Sequence, residues 1–151
     1  MDNLEYALSL KQPWATLLVC GRKFVEVRRW ATERRGRVLI HAAGIADSRK
    51  QAWDQVPDEL RDFAQLSGGI IGAAELTGCI AYGSKRLFVR DRLLHLNDPS
   101  WFMPPVLYGF TFTRAEVLPY RRYTGNVRFF SVQPSKPSAC TTSSRQSRGA
   151  S

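Results

Sequence analysis

The stretch LSLKQPWATLLVCGRKFVEVRRWATERRGRVLIHAA, from Leu8 to Ala43, changes its periodicity twice and so carries three elements in succession. Pro13 suits a first helical turn, where its missing N–H costs nothing. Gly21 suits the position just past a helix end, where glycine takes a left-handed backbone easily. Between them Trp14, Leu17 and Leu18 share one face at helical spacing, which predicts a short helix from about Pro13 to Cys20. After Gly21 the pattern turns β-branched and alternating in KFVEVRRW, which reads as a strand. In a regular strand Val25 and Val27 point one way, and Phe24, Glu26 and Arg28 the other. WATERRG then makes a basic loop. Arg37 to Ala43 is nearly all apolar, a strand with both faces largely buried.

Working outward, Tyr6 to Leu10 reads as a first strand. SRKQAWDQVPDELRDFAQL has helical composition broken at Pro57, which predicts two surface helices. GGIIGAAELTGCIAY is a long strand whose glycines predict bulges or tight bends. LFVRDRLLHL fits helix and strand equally, while LYGFTFTRAEVLPY and NVRFFSV read as closing strands. Several strands with few, short helices predict an α+β fold, a small β-barrel decorated by short helices. From Pro134 the chain is Ser- and Pro-rich, carries three bases and no acid, and lacks apolar periodicity. The expected organisation is one domain over residues 1–133 and a disordered basic tail over 134–151.

The 151 residues carry 22 Lys and Arg against 13 acids, a net charge of +9. Between Cys20 and Arg37 stand seven bases, Arg22, Lys23, Arg28, Arg29, Arg34, Arg35 and Arg37, against Glu26 and Glu33. Arginine forks match phosphate oxygens and stack on bases, so the expected partner is RNA, other single-stranded nucleic acid, or a nucleotide. No segment approaches the roughly 20 apolar residues of a membrane span, and the acidic N-terminal stretch is unlike a secretory signal. Three widely spaced cysteines, Cys20, Cys79 and Cys140, fit neither a disulfide framework nor a zinc site. A cytoplasmic, monomeric protein without metal or cofactor is expected.

The quoted stretch resembles the ASCH domain, a branch of the PUA-like superfamily. Its hallmark G-x-K-x-x-E-x-R is present as Gly21, Lys23, Glu26 and Arg28, preceded by Ser9, Gln12, Pro13, Trp14 and Ala15 and followed by Arg35, Gly36 and Arg37. The likeness covers about a quarter of the chain. It implies a PUA-like β-barrel with a cleft in which the hallmark residues face a ligand, RNA or a modified nucleotide. One enzymatic branch resembles a small acetylcytidine amidohydrolase, with a threonine where Glu26 stands here. A carboxylate cannot serve as that hydroxyl nucleophile, so the amidohydrolase mechanism does not carry over directly.

The residues themselves support a polar cleft. Lys23 is a compact cation able to hold a phosphate or to donate a proton if burial lowers its pKa. Glu26 can accept from a base edge or act as a general base, and Arg28 can bind phosphate or pair with Glu26. Lys23 and Glu26 are three apart, so they converge only if Lys23 sits in the turn after Gly21 or a bulge intervenes. Candidate ligand-binding residues are Trp14, Lys23, Glu26, Arg28, Arg34, Arg35 and Arg37, with Lys23 and Glu26 catalytic if the protein is an enzyme. A binding module is the first expectation. The alternative is a metal-independent hydrolase in the same cleft, a ribonuclease or a nucleoside amidohydrolase. Trp14 reads as a core anchor or a base-stacking platform, and His41 as a satisfied core residue. His95 has no visible partner.

Overall fold

The structure is a computed structural model that describes residues 4–134. Six strands form one mixed sheet: β1 (Glu5–Leu10), β2 (Val25–Arg28), β3 (Gly36–Ala42), β4 (Gly69–Tyr82), β5 (Leu107–Arg122) and β6 (Phe129–Val132). Their order is β2-β5-β4-β3-β1-β6, with β1 and β3 parallel and every other pair antiparallel. Three register shifts interrupt the long β4–β5 ladder, two of them at Gly72 and Gly78, as the glycines predicted. Bulges raise local twist, and the sheet curls into a half-barrel. Its two edge strands do not hydrogen-bond to each other. Aromatic side chains bridge the gap: Trp30, just past β2, packs edge-on against Phe110 of β5 at 5.0 Å and Phe129 of β6 at 5.7 Å.

The first helix, α1 (Trp14–Val19), lies against the sheet and buries all six of its residues. A single apolar face was expected. WATLLV has no polar side besides Thr16, and a helix apolar all round belongs inside. With Leu8, Leu10, Ile40, Ile71 and Phe110 it forms the main core.

The two helices expected around Pro57 shrink to α2 (Lys50–Trp53) and two 3₁₀ turns, Asp58–Leu60 and Phe63–Gln65. Pro57 interrupts the ladder, and segments this short cannot offset helix nucleation. The ambiguous LFVRDRLLHL is helical, split into α3 (Lys85–Arg90) and α4 (Arg92–His95). Ser84 starts it, accepting from the Leu87 N–H at 3.2 Å, and Leu96 ends it with φ +62°. Cys20 and Cys79 are free and partly buried against the core. Cys140 and the expected tail beyond Pro134 lie outside the described residues. No helix among the described residues is long and apolar enough to cross a membrane.

Candidate ligand-binding cleft

The cleft begins with a turn. Gly21 takes φ +76°, a conformation other residues adopt only with strain, and the chain doubles back over the end of α1. The N–H groups of Arg22 and Lys23 both donate to the Leu17 carbonyl, at 2.8 and 3.0 Å. The strand starts only at Val25, so Lys23 escapes the alternation that would have turned it away from Glu26. Lys23 is just 2% exposed. Its ammonium donates to the His95 carbonyl at 2.7 Å, lies 3.5 Å from Glu26 Oε1, and sits 4.6 Å above the Trp14 ring. Burial pushes its pKa down to about 8, against the pull of Glu26 and with the added push of Arg28.

Glu26, 8% exposed, accepts from Arg28 Nε at 3.0 Å through its second oxygen. Arg28 continues the chain by donating from Nη2 to the Ser9 carbonyl at 2.8 Å. Two cations thus flank one carboxylate in a continuous floor, and the local charge is positive.

A second ion pair builds the opposite wall. Asp47 accepts from the Trp14 indole at 2.8 Å, from the Arg49 backbone N–H at 2.9 Å, and from the Arg49 guanidinium at 2.7 and 3.0 Å. Burial would raise its pKa, but these hydrogen bonds hold it at about 2. Arg49 in turn stacks over Trp101 at 3.6 Å. On the remaining side Arg128, in a left-handed conformation at φ +55°, lies 4.6 Å over Trp30. The cleft is open on one side and its volume is about 480 Å3, within the roughly 300–1,000 Å3 usual for small-ligand sites.

Of the residues singled out in the sequence, Trp14, Lys23, Glu26 and Arg28 line this cleft, and Arg34, Arg35 and Arg37 do not. Arg34 lies over Tyr6 at 4.0 Å, and Arg35 donates to the carbonyls of Thr32 and Arg34. Arg37 is held by Glu116 at 2.7 Å and Glu5 at 3.4 Å. Trp14 is both core anchor and cleft wall. His95, without a partner in the sequence, has two here: Nε2 donates to Phe88 O at 2.6 Å and Nδ1 accepts from the Asn97 N–H at 3.0 Å. Lys11, Asp47, Arg49, Asn97, Asn126 and Arg128 were not anticipated as lining residues. Lys11, beside QPW, offered the one usable signal; the others sit in loops without pattern.

The family model of the ASCH domain matches residues 8–128. Activating signal cointegrator 1 of Mus musculus is 36% identical over 89 residues, covering 50% of this chain and 14% of that protein. The Homo sapiens protein of the same name is 35% identical over 88 residues, with the same coverage. The chain therefore spans only 14% of the length of these curated relatives. Among solved structures, ASCH from Zymomonas mobilis matches with a TM-score of 0.56 and 18% identity, over 78% of this chain and 73% of that one. A point variant of the same protein matches equally, over 75% of its chain. At this identity the likeness is one of fold.

Proposed function

This chain belongs to the ASCH domain family, and from that premise we propose that its cleft holds one nucleotide of RNA or another single-stranded nucleic acid. The observation that carries the reading is the buried chain from Lys23 through Glu26 to Arg28 at the floor of a nucleotide-sized cleft. Each Glu26 oxygen has one cationic partner, which leaves lone pairs to accept from the N–H edge of a base. Lys23, enclosed on three sides, positions that carboxylate. Arg49 and Arg128, stacked on tryptophans at the rim, meet phosphate oxygens, and Arg28 reaches either group. Arg34 and Arg35 extend the path to flanking phosphates, and Arg37 contributes less because two carboxylates already hold it.

The test is a fluorescence titration of a short single-stranded RNA. Arg28→Ala should weaken binding at least about tenfold, as loss of a charged partner costs roughly 1.5–3 kcal/mol. The pair Arg34→Ala and Arg35→Ala should reduce the salt slope by up to about 2. Unchanged affinity in Arg28→Ala would remove the cleft from the interface. A second reading, a metal-independent hydrolase, draws on the Lys23 pKa of about 8, which puts proton transfer within reach near neutral pH. Cleavage of the same RNA in excess chelator would favour it.

A further inference from the structure

Ser9 of β1 and His41 of β3 are direct partners in the one parallel ladder among the described residues, and Ser9 Oγ lies 2.9 Å from His41 Nδ1. The other ring nitrogen, Nε2, lies 2.7 Å from the Tyr123 carbonyl oxygen. A carbonyl only accepts, so Nε2 carries the proton and Nδ1 presents its lone pair to the serine. Ser9 must then donate, which is the proton arrangement of a hydroxyl beside its base. The ring is seated firmly. His41 is 2% exposed, stands edge-on to Phe130 at 5.7 Å, and is capped by Gly125, where a Cβ would come within 2.5 Å of ring Cε1. Burial lowers its pKa, which favours the neutral ring whose Nδ1 lone pair faces the serine.

Ser9 is placed differently from its partner. It is only half-buried and lies on the wall shared by the cleft and a second hollow of about 520 Å3, to which Tyr123, Thr124 and Asn126 contribute. Arg28, which donates to Ser9's own backbone carbonyl at 2.8 Å, lines the cleft on the same side and leaves the region beside Ser9 cationic.

We propose that Ser9 is a nucleophile activated by His41, and that this seam cleaves small carboxylic esters. Ser9 Oγ bonds to the ester carbon as its proton passes to His41 Nδ1. The ester C–O bond then breaks, and the alcohol leaves with that proton. Water adds to the acyl-serine, giving a proton to Nδ1, and the acid departs as Oγ is reprotonated. The third member here is a carbonyl dipole, which stabilises an imidazolium less than a carboxylate would, so alcohols and not amines are the leaving groups. Ser9 also lines the nucleotide cleft, but the ester cleavage rests on the Ser9–His41 pair and needs no nucleic acid.

An alkyl fluorophosphonate, which bonds to activated serines with loss of fluoride, tests it on the full chain. One adduct should form, map to Ser9 by peptide mass, and vanish in Ser9→Ala. His41→Gln should slow labelling by about a hundredfold. Hydrolysis of p-nitrophenyl acetate should fall by at least about tenfold in Ser9→Ala. The wild-type labelling needs no variant to fold. Absence of a Ser9 adduct in the folded protein, or a labelling rate unchanged in a folded His41→Gln, would overturn the proposal.

Discussion

Replacing Glu26 with alanine is expected to destabilise the domain by about 3–5 kcal/mol, because it strands a buried cation. Lys23 keeps only the His95 carbonyl and the Trp14 face once its counter-charge is gone. Burial already favours its neutral form, and without Glu26 only the hydrogen bond to His95 and the Trp14 face oppose that push. Arg28 suffers less, since it is more exposed and retains the Ser9 carbonyl. Glu26→Gln should cost less than Glu26→Ala, as the amide oxygen still accepts. Pairing Lys23→Met with Glu26→Leu should recover much of the loss, because replacing both members of a buried pair by apolar groups removes the desolvation cost. That double variant should still fail to bind RNA, which separates folding from function. Urea unfolding measures the first effect and RNA titration the second. A Glu26→Ala protein within about 1 kcal/mol of wild type would mean that the pair is no more than a surface contact.

Trp14→Ala should be comparably severe, at about 3–5 kcal/mol, with a cavity opened where core and cleft meet. The ring is 6% exposed, packs edge-on to Trp101 at 6.1 Å, and carries Lys23 on its face. Trp14→Phe isolates the indole N–H. It keeps an aromatic face under Lys23 but loses the 2.8 Å bond to Asp47, a charged acceptor, for about 1.5–3 kcal/mol. Asp47 remains paired with Arg49, so the wall should persist. Chemical denaturation distinguishes the two variants. Equal costs would contradict the division of labour, and so would two silent substitutions.

The cleft's floor was legible because it is local. Gly21, Lys23, Glu26 and Arg28 fall within eight residues, and the conflict between their spacing and strand alternation pointed to the turn that resolves it. The walls were not legible. Asp47, Arg49, Asn97 and Arg128 come from loops whose only shared property is where the sheet delivers them. Charge density in the sequence also cannot tell a free arginine from a neutralised one. Arg37 belongs to the basic cluster by sequence, yet it faces Glu116 from the far end of the ladder. In the same way the ring nitrogens of His95 find partners within seven residues, but only once α3 and α4 are wound. The helices expected around Pro57 failed for a different reason: composition favoured them, and segment length did not.

The central claim is that the cleft, and not the outer arginine surface, receives a nucleotide. Its most direct measurement is an NMR titration of the labelled protein with a short single-stranded RNA. The indole N–H signals of Trp14 and Trp30 and the Nε–H of Arg28 should shift together along one saturating curve, while the Arg37 Nε–H stays still. Shifts confined to Arg34, Arg35 and Arg37, with the cleft signals unmoved at saturation, would contradict it.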